Sequence, residues 1–226
     1  MGNQNTDNAN LKAECTIDKN ADLYHSVLHL FDIGFNEVIA RPTANSVFTG
    51  FDSKGAVDAY LSSYRQLVRY IIGPLELEDI IVGKYRPMFS NIHFPLIQII
   101  TGKKFRSVCG ALRSKICIGC NGSIVPCFLF NTFSDERYMI GSVFSGIDEM
   151  KVKDILKEFE VFDSDCDSCI CRDLCIVCYF KLIEEKNKAS GEIEDCRLIR
   201  ESMKILREEL YTRYNKNLFG GKRELQ

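Results

Sequence analysis

The sequence predicts an α/β first part followed by a smaller, cysteine-rich α+β region containing a β-hairpin. Three observations predict it. Strand-like and helix-like apolar patterns alternate over roughly the first hundred residues, the signature of βαβ units. Ten of the eleven cysteines fall between Cys109 and Cys196, and only Cys15 stands apart. An Asn-Gly pair, Asn121-Gly122, sits between two apolar runs inside that region, which is a strong hairpin signal. These shifts divide the chain into 1–104, 105–200 and a C-terminal helix with tail, 201–226.

In the first part, LKAECT (11–16) is a short strand candidate. Asn20 is placed to cap a helix, with Asp22 in its first turn. Leu23, Val27 and Leu30 then recur at helical spacing until Gly34. NEVIARP (36–42) reads as the next strand, ended by Pro42. Ser53 opens a longer helix with Val57, Tyr60, Leu61, Tyr64, Leu67, Val68 and Ile71 on its apolar face, closed by Gly73-Pro74. A further helix is expected over 88–100 despite Pro95.

The second part reads differently. SKICI (114–118) and SIVPCFL (123–129) are expected as the hairpin strands around Cys120-Asn121-Gly122, with Asn121 and Gly122 taking the positive φ of a tight turn. RYMIGSVF (137–144) is a further strand candidate, and KVKDILKEF (151–159) an amphipathic helix. After Cys196 a longer helix is expected with Ile199, Met203, Leu206 and Leu210 on one face, then a loose tail, NLFGGKRELQ.

Composition limits the function classes. Apolar residues make up 46% and aromatics 11%, enough for a real core. A net charge of −2 argues against a general nucleic-acid or anionic-membrane binder, leaving room for a local basic patch. MGNQNTDNAN is polar from its first residue, so no secretory signal is expected. No apolar run is long enough for a bilayer. A cytoplasmic location is the simplest reading, and it disfavours disulfides for this odd number of thiols.

Clustered cytosolic thiols point to metal binding. A Cys-x-x-Cys turn lets two sulfurs face one metal centre. Cys166 and Cys169 form one such pair, Cys175 and Cys178 another, and Cys117 and Cys120 a third on the hairpin. Cys15 reads as a small apolar core residue, and Cys171 as a bystander. On spacing alone, structural zinc and iron–sulfur clusters stay equally open.

The full order of the thiols is more specific. Cys109 is followed by twelve residues and Gly122, then four residues and Cys127. After a gap come Cys166-x2-Cys169-x5-Cys175-x2-Cys178, then seventeen residues and Cys196. This arrangement resembles the SPASM domain, the cysteine-rich extension of many radical S-adenosylmethionine enzymes, including peptide and sulfatase maturases. The stretch ECTIDKNADLYHSVLHLFDIGFNEVIARP just upstream resembles a late strand–helix–strand of their partial α/β barrel. One departure is the last spacing, two residues between Cys175 and Cys178 where the family has three.

The resemblance implies two auxiliary 4Fe–4S clusters. Cys166, Cys169, Cys175 and Cys196 would hold one. Cys109, Cys127 and Cys178 would hold the other, with Cys117 or Cys120 as fourth ligand. It also implies a role in electron transfer or in binding a peptide or protein substrate.

The family's catalytic cluster needs Cys-x3-Cys-x2-Cys early in the barrel, and nothing before Cys109 supplies it. Cys171, Cys175 and Cys178 have that spacing, but only about 48 residues follow them, with no barrel pattern. The chain alone is therefore not expected to bind or cleave S-adenosylmethionine, nor to be catalytic. It reads as a truncated or split part of such a maturase, or a standalone descendant. Two rival readings are a non-catalytic electron-transfer or scaffold subunit docking with a partner chain that carries the radical core, and a zinc-binding interaction domain. No nucleic-acid or membrane partner is expected. His25 and His29, four apart on one helix, read as a solvated face, as do the charges Arg207-Glu208-Glu209.

Overall fold

The computed structural model describes residues 11–42, 54–81, 87–102, 109–132, 135–165, 167–175, 178–180, 183 and 194–218. They belong to two compact units, one drawn from Met1–Lys104 with Glu194–Gln226, the other from Phe105–Ile193. The C-terminal helix, expected as a segment of its own, thus groups with the first part of the chain. The chain is of mixed α/β content.

In the first unit, strand β1 (Lys12–Ile17) leads through helix α1 (Leu23–Asp32) to β2 (Glu37–Pro42). Helices α2 (Lys54–Ile72) and α3 (Leu77–Ile81) precede the two-residue strand β3 (Met88–Phe89), and α4 (Ser90–Thr101) follows it. The strands are parallel and lie in the order β1-β2-β3. Register aligns Ala13 with Val38 and Val38 with Phe89. Since alternate residues share a face, this row supplies the core side of the sheet, and all three are buried. Cys15 lies half-buried in the same strand and packs against that core, as expected of a small apolar residue.

Two of the expected elements need adjustment here. The α1 cap is Asp22, whose Oδ1 accepts the His25 N–H at 3.1 Å, rather than Asn20. Ser63 Oγ donates to the same oxygen at 2.8 Å and accepts the Tyr24 N–H at 2.8 Å, tying α1 to α2. Residues 88–89 pair as a strand before α4 starts, because Phe89 continues the buried row of the sheet. Asn91 then takes the place of a third paired residue: its side chain bonds both the N–H (3.1 Å) and the carbonyl (2.6 Å) of Ala40. The expected face of α2 is borne out, with Val57, Tyr60, Tyr64, Leu67, Val68 and Ile71 buried. Ser53 lies outside the described residues.

Helix α7 (Glu194–Leu218) packs against α2. Its buried face is Leu198, Ser202, Ile205, Leu206, Glu209, Leu210 and Tyr214. Ile199 and Met203 are only half-buried, so the face is rotated from the expected one. The cause is polar: Glu209, 7% exposed, reaches Arg65 at 2.6 Å and Arg69 at 2.8 Å on α2. Glu208 joins Arg65 at 2.9 Å. The reading of Glu208-Glu209 as solvated surface is therefore corrected. Tyr214 Oη donates to the Leu75 carbonyl at 2.9 Å, beyond the C-terminus of α2. Residues 219–226, most of the expected tail, lie outside the described residues, and Asn217 and Leu218 continue α7.

The second unit is an antiparallel meander, β4 (Cys117–Ile118), β5 (Ser123–Val125), β6 (Gly141–Ser142) and β7 (Gly146–Ile147), in that order. Helix α5 (Phe128–Thr132) follows β5, and α6 (Glu149–Asp165) follows β7. The hairpin is present, but with a different turn. Gly122 N–H closes on the Gly119 carbonyl at 2.9 Å, and Gly122 alone in that turn has positive φ, +81°. This is the three-residue connection in which an ordinary turn is followed by one left-handed residue. SIVPCFL does not run on as a strand: Pro126 removes a ladder donor, and α5 begins at Phe128. Within 137–144, only Gly141–Ser142 pairs, because Glu136–Tyr138 forms a single 3-10 turn capped by Asp135. The predicted helix 151–159 extends to Glu149 and Asp165, with Asp148 Oδ1 accepting the N–H groups of Met150 and Lys151.

The core of this unit is aromatic. Phe159 stacks on Tyr179 with centroids 4.1 Å apart, and Phe130 meets Phe180 edge-on at 5.2 Å. Tyr138 closes the side, its hydroxyl donating to Glu158 at 2.9 Å.

Candidate metal centre

Four thiols border this aromatic core. Cys109, Cys117, Cys127 and Cys178 are each half-buried and pack against it. Each is set there by a different local device. Cys117 lies on β4, opposite Val125. Cys178 precedes the buried Tyr179 and Phe180. Cys109 leads into a tight loop in which the Gly110 carbonyl accepts from Arg113, Ser114 and Lys115 at 3.1, 2.9 and 3.0 Å. A Cβ on Gly110 would lie 2.5 Å from Ser114 Oγ, so a side chain there requires the Ser114 hydroxyl to turn away.

Cys127 stands just before α5. Its sulfur accepts the backbone N–H groups of Leu129 and Phe130. Burial pushes the Cys127 thiol above its ordinary value; those two donors oppose it, the neighbouring Cys109 adds to the rise, and Lys115 counters it. The two N–H donors and Lys115 together do not offset burial, so the half-buried thiol needs more positive charge nearby to stand as a thiolate. A bound metal supplies that charge and releases the proton.

Cys120, at the hairpin tip, is exposed. Cys169 and Cys175 are half-buried in a run of turns, with Arg172 N–H on the Cys169 carbonyl at 3.0 Å and Leu174 N–H on that of Cys171 at 3.0 Å. Cys171 itself is buried, 5% exposed. Cys196 is half-buried on α7, in the first unit. Cys166 lies outside the described residues. Among the described residues, no three His, Cys, Asp or Glu side chains are gathered as a metal-holding group.

Three contributors escaped the sequence reading: Lys115 and the N–H groups of Leu129 and Phe130. Pro126-Cys127 before the run FLF was the available signal, since a helix opening there must aim its free N–H groups back at residue 127.

The histidines make no centre. His25 and His29 are exposed on α1, and Asp22 Oδ2 lies 3.0 Å from His25 Nδ1. His93 is fully buried, and Phe89 N–H lies 3.0 Å from its Nδ1. Burial pushes His93 down to about 4, against the pull of the Phe89 carbonyl. Among the described residues no helix is long and apolar enough to cross a membrane. Compared with known proteins, the chain matches no family model, no curated protein and no solved structure.

Proposed function

We propose that this chain is an iron–sulfur protein, a SPASM-like module of a radical S-adenosylmethionine peptide-modifying system. One observation carries the reading. Cys109, Cys127 and Cys178, which the resemblance groups in one ligand set, border a single core together with Cys117, one of the two fourth ligands it leaves open, while the other, Cys120, is exposed. The donors aimed at Cys127 suit a cluster ligand, because hydrogen bonds to cluster sulfurs tune reduction potential. The second ligand set, Cys166, Cys169, Cys175 and Cys196, is proposed from the sequence resemblance. When bound, such clusters supply one-electron transfer or a substrate-binding iron; the chain's residues supply burial and hydrogen bonds to the thiolates.

The first unit is proposed as a piece of the partial barrel. Its parallel strands neighbour one another in chain order, as in singly wound barrels and unlike the reversing order of doubly wound sheets. Strand β1 lies at a sheet edge. That favours a second reading alongside the first, a subunit whose edge pairs with a partner chain carrying the remaining strands.

Anaerobic purification followed by iron, zinc and acid-labile sulfide analysis with a visible spectrum tests the metal reading. About eight irons and eight sulfides per chain are expected. Zinc without sulfide overturns the redox function and leaves a zinc-stapled interaction domain. The chain alone is expected to form no 5′-deoxyadenosine from S-adenosylmethionine under reducing conditions.

A further inference from the structure

Strand β1 runs for six residues along one edge of its sheet, and among the described residues it pairs only with β2. The Glu37 N–H bonds the Leu11 carbonyl at 3.2 Å. Alternate residues of a strand direct their backbone groups to opposite sides, so Leu11, Ala13, Cys15 and Ile17 turn theirs to β2. Lys12, Glu14 and Thr16 turn theirs outward, to the open edge. The strand holds no proline, and its six residues match six of β2 without a bulge. Proline and bulges are the usual blunting devices of an edge. Charge is another, but here the two charged residues, Lys12 and Glu14, are of opposite sign.

That order makes the edge complementary to itself. A two-fold axis joins two such edges antiparallel, and outward residues must then face outward residues to form bonds. Lys12 opposite the partner's Lys12, or Glu14 opposite the partner's Glu14, sets like charges together, which destabilises a pair. Glu14 opposite the partner's Thr16 brings Lys12 to the partner's Asp18. Asp18 is folded into a turn, its carbonyl on the Ala21 N–H at 3.1 Å and its side chain on the Asn20 N–H at 2.8 Å. The remaining register sets Lys12 opposite the partner's Glu14, and the two-fold repeats that pair. Ala13 then meets the partner's Ala13 at the axis. Leu11, 50% exposed, meets the partner's half-buried Cys15. Apolar residues thus fall on the core side of the seam and charges on the other. Lys12 keeps Glu37 of β2, 3.0 Å away; an ammonium has three donors and serves a carboxylate on either side.

We infer that β1 is the seam of a two-fold dimer, in which a second copy of this chain continues the sheet antiparallel with Lys12 opposite the partner's Glu14. This gives the edge an occupant other than a barrel-bearing partner. The seam needs no metal.

Sedimentation equilibrium of the full chain across micromolar concentrations tests this, with circular dichroism as the check on folding. The mass is expected to rise with concentration from one chain to two. Glu14→Lys sets like charges at both ion-pair positions of the seam and is expected to weaken the dimer about tenfold or more. Glu14→Pro removes an N–H that points out of the sheet, so the bonds to β2 stay and two bonds of the seam are lost; it too is expected to weaken the dimer. If Glu14→Lys unfolds, Glu14→Gln takes its place, with a smaller loss expected. A chain that stays monomeric overturns the inference and leaves the edge to a partner of different sequence. Equal dimerisation by any of these variants that folds also overturns it, since the interface then lies elsewhere. Neither readout depends on iron content, so failure here is distinct from failure of the iron–sulfur reading.

Discussion

Replacing Leu206 by alanine tests whether α7 belongs to the core of the first unit. Leu206 is 0% exposed and lies in one core with Leu67 and Val68 of α2. The substitution removes three carbons from a position walled in by two long helices. Buried Leu→Ala changes cost about 2.7–5 kcal/mol, more where the site collapses poorly. A seam between α2, of 19 residues, and α7, of 25, gives little room to collapse, so about 3–4 kcal/mol is expected. With a urea dependence of about 2 kcal/mol per molar, the midpoint falls by about 1.5–2 M. Far-ultraviolet circular dichroism follows the transition, since the chain has no tryptophan. Lys204→Ala, on the opposite face of α7, is the control and should stay within about 0.5 kcal/mol. If Leu206→Ala moves the midpoint no more than Lys204→Ala does, α7 is not a core element and the argument fails.

Other expectations follow from the same geometry. Cys127→Ala should cut iron from about eight to about four per chain, whereas Cys120→Ala should leave it unchanged; iron and sulfide analysis of the two variants decides between Cys117 and Cys120 as the fourth ligand. His93 has its folded pKa pushed down to about 4 from 6.5. The unfolded chain therefore takes up a proton first as pH falls, so stability present above pH 6.5 drains away down to about pH 4, by about 3 kcal/mol. Urea midpoints measured across that range should fall less in His93→Gln than in the unaltered chain. Phe159→Ala removes a ring stacked on Tyr179 at 4.1 Å and should cost about 3–5 kcal/mol, read as a lowered thermal midpoint.

The first unit was legible where periodicity meets burial. Val57, Tyr60, Tyr64, Leu67, Val68 and Ile71 sit on one face of α2 because a 19-residue amphipathic run has only one way to bury its stripe. The face of α7 was not legible from apolar residues alone. Its position depends on Glu209, which reads as a solvent residue until Arg65 and Arg69, some 140 residues away, are placed beside it. Short elements failed for a related reason. Strand β3 has two residues, too few for any period, and exists because β2 offers it a free edge.

The thiols show a sharper division. Spacing singles out the cysteines as candidates; how each sulfur is presented was not legible in it. Cys117 and Cys120 are three residues apart and equivalent on paper, yet one packs against an aromatic core and the other sits at a turn tip. The turn decides this. Gly122 takes the left-handed residue of a three-residue connection, which leaves Cys120 in the loop and Cys117 in the paired strand. Cys127 depends in turn on Pro126, which ends β5 and lets α5 open with its N–H groups aimed at the sulfur. The proposed ligand set depends on the backbone breaks around the cysteines as much as on the cysteines. Moving Gly122 by one residue, with every thiol kept, is therefore expected to impair iron incorporation as much as losing Cys117; full iron content in such a chain would show that spacing alone suffices.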